Sequence, residues 1–151
     1  MMKFFFALAM LLTAAVVNAD EKQIASPDGK LAVIVSEING QPSYRISYNG
    51  VSFLESSPLG LVTNIGDFSR QMSLGKDMRV KEINEVYELP SIKQSKVHYV
   101  ATEAVIPFIR EGKAVYDVVF RISNRDVVFK YKMYPQGETL SCIIQKEATG
   151  F

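Results

Sequence analysis

The sequence predicts an all-β fold, an antiparallel β-sandwich, and three observations carry that reading. Short runs of β-branched and aromatic residues recur along the chain with turn residues between them. Several runs alternate strictly, as in Tyr44, Ile46 and Tyr48 against Ser43, Arg45 and Ser47. Asn39-Gly40 and Asn49-Gly50 separate such runs, and a two-residue Asn-Gly link is the strongest local hairpin signal because a type I′ turn needs positive φ twice.

Residues 1–19 stand apart from this pattern. Met1-Met2-Lys3 is a short basic start, Phe4 to Val17 is apolar apart from Thr13, and Val17-Asn18-Ala19 precedes the acids Asp20 and Glu21. That order is the n-region, h-region and cleavage site of a signal peptide, so the mature chain is expected to begin at Asp20, exported to the periplasm or beyond. An apolar run of about 14 residues is short of the roughly 20 that span a bilayer. No cysteine stands at the cleavage point, which argues against a lipoprotein anchor. Without Lys3, 16 basic side chains of the original 17 face 16 acidic ones. This balance excludes a nucleic-acid or membrane-surface binder. Cys142 is the only cysteine, so no internal disulfide forms, and its alternation with Leu140 and Ile144 reads as a small buried hydrophobe on an apolar face.

The elements follow in order. Ser26-Pro27-Asp28-Gly29-Lys30 is a turn, because Pro presets φ and Gly accepts positive φ. Leu31 to Val35 is a strand, then Ser43 to Tyr48, with Val51-Ser52-Phe53-Leu54 returning. The middle, 63–95, reads as irregular or extended chain. A short helix is the alternative, because Val80, Ile83, Val86 and Tyr87 share a helical spacing. Val97 to Ile109 forms a long strand in which Pro107 implies an edge or a bulge. The turn 110–113 leads to Ala114–Ile122, with Tyr116, Val118, Phe120 and Ile122 on one face and Val115 and Val119 opposite. Ser123-Asn124-Arg125-Asp126 turns the chain into Val127–Tyr134, where Val128 likewise opposes the main apolar face, and Thr139–Lys146 is the last strand.

Chemistry is harder to find. His98 is the sole histidine, mid-strand and without a visible partner, and reads as an ordinary strand residue. No His/Cys cluster, no Asp-rich calcium loop and no glycine-rich phosphate cradle occurs. Glu82, Glu85 and Glu88 suit a solvated face. Glu103 shares a face with Tyr99, Ala101 and Val105, where a charge needs a partner, so it reads as a structural acid paired with Arg121 or Arg45. Glu147, just after the last strand, reads as structural too. Catalytic, cofactor and metal residues: none are assigned.

Five elements in order resemble a known family. Ser26-Pro27-Asp28-Gly29-Lys30 and Ser57-Pro58-Leu59-Gly60-Leu61 are similar to elements near the start of family 97 glycoside hydrolases. Val86-Tyr87-Glu88-Leu89-Pro90, with Lys93 and Ser95, resembles that family's Tyr-x-Leu-Pro-x-Gly-Lys stretch, although Ile92 replaces the glycine. Asn124 to Tyr131 resembles its Asn-Asp-Gly-Val-Ala-Phe-Arg-Tyr signature, departing at Arg125, Asp126, Val128 and Lys130. Glu147-Ala148-Thr149-Gly150-Phe151 is similar to the Glu-x-Thr-x-Phe that follows. The resemblance implies a galactose-mutarotase-like β-super-sandwich, here incomplete over 20–151, with the catalytic (β/α)8 barrel absent. It implies hydrolysis of α-glucosides or α-galactosides by the full-length enzyme, with calcium near a site that lies elsewhere. The catalytic carboxylates belong to the barrel, so none is carried over to this chain.

The expected function is therefore a non-catalytic, carbohydrate-binding or supporting sandwich of an exported α-glycosidase. A stand-alone exported carbohydrate-binding or interaction module is the alternative, and a ligand-free structural β-protein a third reading. Exposed aromatics separate them, because sugar C–H faces stack on rings. Tyr48 and Tyr134 are the candidate sugar contacts.

Overall fold

A computed structural model describes residues 20–90, 96–138 and 141–151. The expected signal peptide, and Ile92, Lys93 and Ser95 of the resemblance, lie outside the described residues. Four strands form an antiparallel meander: β1 (Glu21–Ala25), β2 (Leu31–Ile38), β3 (Gln41–Tyr48) and β4 (Val51–Pro58). The Asn-Gly turns close it as expected. Asn49 and Gly50 take φ of 50° and 79°, the left-handed pair that joins two right-twisted strands without splaying them.

Short strands β5 (Leu61–Thr63), β6 (Gly66–Asp67) and β7 (Ser73–Leu74) lead into the second sheet. Its frame is β8 (Arg79–Glu88), β9 (Lys96–Arg110), β10 (Lys113–Ser123) and β11 (Val127–Met133), in the order β11-β10-β9, with β7 and β8 both on the far side of β9. A small third sheet sets β12 (Ile144–Glu147) beside β5, with β6 beyond.

The two large sheets bury their inner faces against each other. Tyr116, Val118, Phe120 and Ile122 of β10 are fully buried, as are Val33 and Val35 of β2. The Tyr44 ring bridges the layers, its centroid 5.9 Å from Phe120 and 5.6 Å from Phe129. This is a sandwich with an aromatic centre.

Four expectations need correction. The helical alternative for the middle fails, because β8 pairs with β9 from Arg79↔Val105 through Glu88↔Lys96. Its apolar spacing is split between two faces, and only Ile83 is buried, while Val80 and Val86 are more than half exposed. Val115 does not oppose the core. The register shifts between Ala114 and Tyr116, and this bulge turns Val115 inward to 2% exposure. The last strand is β12 alone, pairs with β5 and includes Glu147; Thr139 and Leu140 lie outside the described residues. Ile144 is exposed and Cys142 half-buried, so among the described residues that segment shows no buried apolar face. Glu103, by contrast, shares the face of Ala101 and Val105 as expected, opposite Ala104, Ile106 and Phe108, which fill the core.

Pro107 behaves as its chemistry requires. It pairs with Asp117 on β10, and on the other side it faces the gap between β7 and β8, where its carbonyl accepts the Gly75 N–H at 2.8 Å. A ring nitrogen without a proton is tolerated where no ladder partner waits.

Candidate functional site

The acids are the first test of chemistry. Glu103 is 8% exposed and sits in a cross-strand row of Lys81, Glu103 and Arg121. Its Oε1 lies 2.9 Å from Lys81 Nζ, and its Oε2 accepts from Arg121 Nε at 3.1 Å and Nη2 at 2.7 Å. The hydrogen bonds from Lys81 and then Arg121 hold the carboxyl below the usual range. Of the two expected partners, Arg121 is the one engaged; Arg45 pairs with Glu21 instead. Asp117, 1% exposed, is the other buried acid among the described residues. Its Oδ2 accepts the Tyr134 hydroxyl at 2.6 Å and faces Arg79 Nη2 at 3.5 Å, while Oδ1 has no partner among the described residues. Nothing in the sequence announces this burial, since Asp117 passes as the polar residue of an alternating strand.

The remaining candidates scatter. Tyr134 is half-buried, its hydroxyl bound to Asp117 and its ring 5.8 Å from Lys132 Nζ. Tyr48 is 46% exposed at the β3–β4 hairpin, near Val51 and the 63%-exposed Phe53, an aromatic that the sequence reading passed over. Phe53 falls where the β3–β4 register shifts. His98 is exposed and donates from Nε2 to Asn84 Oδ1 at 2.6 Å. Glu82, Glu85, Glu88 and Glu147 are all exposed.

A second polar assembly is structural. The Tyr131 hydroxyl accepts the Gly60 N–H at 2.9 Å and meets Thr149 Oγ1 at 2.7 Å, while the Tyr44 hydroxyl donates to Gly150 O at 3.0 Å. Ala148 and Gly150 donate backbone N–H groups to Gly60 and Pro58. Residue 60 must be glycine, because a Cβ there would meet Ser69 Cα at 2.5 Å and φ is +145°.

Open cavities among the described residues include ones of about 580, 440, 230 and 150 Å3. The largest has no aromatic lining, and the smallest carries Tyr134. Among the described residues no three His, Cys, Asp or Glu side chains converge. Calcium takes six to eight oxygen ligands, and no carboxylate cluster among the described residues begins such a set.

Fold and site together define a class: an antiparallel β-sandwich whose buried acids serve the fold. The family described as Glycosyl-hydrolase 97 N-terminal matches residues 24–151. A Streptomyces bingchenggensis protein described as "Probable retaining alpha-galactosidase" is 32% identical over 119 residues, covering 74% of this chain and 18% of that protein. A solved β-arabinopyranosidase structure superposes with a TM-score of 0.78 at 40% identity, over 85% of this chain and 20% of that one. A family 97 enzyme from Pseudoalteromonas sp. strain K8, solved with panose and with acarbose, gives 0.77 at 24% identity over the same shares, a likeness of fold. The chain belongs to glycoside hydrolase family 97 and corresponds to the amino-terminal domain of those enzymes. It spans about a fifth of the length of these relatives.

Proposed function

We propose that this chain is a non-catalytic sandwich that supports and faces carbohydrate in an exported glycosidase. The observation that carries the reading is the state of the two buried acids. Glycoside hydrolysis needs two carboxyl groups across one sugar bond, one as acid and one as base or nucleophile. Glu103 is held on both oxygens by cations, and Asp117 is bound by a tyrosine hydroxyl beneath Arg79. Export is supported by the charge and apolar order of residues 1–19. Calcium, if the longer enzyme uses it, would be held by residues other than these.

Of the two substrate classes the resemblance implies, the galacto configuration is better supported. The Streptomyces relative and the superposed enzyme, both above 30% identity, are named for an α-galactoside and a β-arabinopyranoside. In the L series, a β-arabinopyranoside ring matches an α-galactopyranoside ring without its exocyclic carbon. The test is purified chain against aryl α-galactoside and aryl α-glucoside, with and without calcium. No turnover is expected. Turnover that disappears in Glu103→Gln or Glu147→Gln would overturn the reading.

A further inference from the structure

We propose that the cleft between the first residues of β9 and the β10–β11 turn is a sugar subsite for one neutral pyranose ring. Tyr99 is its platform, and Asn124, Arg125 and Asp126 read the hydroxyls. The inference rests on the carbohydrate-facing reading above and adds a place and a residue set to it.

The cleft exists because β10 leaves β9 early. Their pairing ends at Ser123↔Ala101, so residues 97–100 keep one edge without a neighbouring strand among the described residues. The turn that follows folds across that edge as a wall. The cleft of about 440 Å3 lies between Val97–Val100 and Ser123–Asp126, inside the range of about 300–1,000 Å3 usual for small-ligand sites.

The wall is rigid where its backbone is concerned and available where its side chains are. Ser123 Oγ accepts the N–H groups of Arg125 and Asp126, both at 3.1 Å, and Ser123 N–H donates to Asp126 O. Asn124 Oδ1 accepts the Asp28 N–H at 3.0 Å, which ties this turn to the first sheet and leaves Nδ2 as a donor. Arg125 and Asp126 are exposed, and neither side chain makes a hydrogen bond or ion pair among the described residues. Tyr99 is half-buried and lines the cleft.

Charge selects the ligand class. Arg125 and Asp126 cancel at the wall, and Glu85 and Arg121, the other charged groups near Tyr99, cancel as well. A phosphate or polyanion finds no net attraction, whereas a neutral polyol finds a donor and an acceptor side by side above an aromatic face. The other cavities lack this combination. The largest has no ring, the Tyr134 hydroxyl is already bound, and the carboxylate in the Glu103 cavity is paired on both oxygens.

The experiment is a 1H–15N titration of the dilute chain, below the concentration at which it self-associates, with methyl α-D-galactoside and methyl α-D-glucoside. Saturable shifts are expected in the amides of 97–100 and 123–126. The Kd should be on the order of 1–10 mM, as an open one-ring site gives, and tighter for the galactoside. Tyr99→Ala should abolish the shifts, and Asp126→Asn should weaken binding about fivefold or more, the loss of one charge-assisted hydrogen bond. Tyr99→Phe keeps the ring and should keep most of the affinity, which separates stacking from misfolding. Tyr48→Ala should change nothing at this cleft. No saturable shift in the unaltered chain, shifts centred on Tyr48 or Tyr134, or binding that survives Tyr99→Ala would overturn the subsite. Those outcomes leave the non-catalytic reading standing, because only turnover by the chain overturns that.

Discussion

The inner and outer faces of the β8–β11 sheet are buried by different physics. On β10 the inner residues Tyr116, Val118, Phe120 and Ile122 meet the opposite sheet and have no exposed surface. One residue along, the outer Asp117 and Val119 are also buried, at 1% and 8%, yet no second sheet lies over them among the described residues. Their neighbours across the adjoining strands are long cationic side chains, and Arg79 reaches Asp117 directly. Arg79 and Lys81 flank β9, and Lys130 and Lys132 pair with Val119 and Asp117 on β11. Apolar burial inside is non-directional and large; burial outside depends on particular ion pairs and on stems lying flat over small residues. A face of the first kind tolerates little trimming, whereas one of the second tolerates exchange of any side chain that keeps the cover.

The largest expected effect sharpens that contrast. Phe120→Ala should cost about 3–5 kcal/mol in denaturant unfolding, the usual range for emptying a packed aromatic position. Val128→Ala, on the half-exposed outer face, should stay within about 0.5 kcal/mol. If the two losses were alike, the distinction between faces would be wrong.

Next comes the ion-pair row. Glu103→Gln should cost about 1–3 kcal/mol, because Gln keeps the shape and loses the charge-assisted bonds. Lys81 and Arg121 are 64% and 35% exposed, so solvent screening places the value toward the lower end. The pH dependence follows in sign. The folded carboxyl titrates below its unfolded value, so its stabilisation is complete above the ordinary carboxylate range. It is lost as pH falls through the lowered folded value. Thermal unfolding between about pH 6 and 2 should fall less steeply in Glu103→Gln than in the parent chain. Equal slopes would show that Glu103 carries none of the acid sensitivity.

Tyr131→Phe should cost about 1–2 kcal/mol, since it leaves the Gly60 N–H without an acceptor in a buried corner. The smallest effect should be Val86→Lys, near zero, because Val86 is already 58% exposed on the β8–β9 ribbon.

These differences also explain what was legible in the sequence. The first sheet is encoded locally, by Asn-Gly turns and by alternation that only a half-buried strand explains. The inner face of β10 is equally plain. The strand β8 is not, because nine of its ten residues are exposed and its pairing with β9 is set by tertiary register. Asp117 reads as solvent-facing until the bulge at Val115 and the cations of β8 and β11 are placed around it. The Tyr99 cleft depends on where β10 stops pairing with β9, which no short window of residues records. Glu103 was readable because one charge among Ala101 and Val105 demands a partner, and Arg121 stands directly across in the register.

A sandwich proposed to support a larger enzyme should be covered over part of its surface. Val51, Phe53, Val86, Ile143, Ile144 and Phe151 are all more than half exposed, and β4 and β11 carry open edges among the described residues. Such surface associates with itself when nothing else covers it. Size-exclusion chromatography of the chain from Asp20, read beside its thermal unfolding, tests this directly. Concentration-dependent oligomers at about tens of micromolar and irreversible melting are expected. A monomer at every concentration, melting in one reversible step, would contradict this and favour a sandwich that works alone.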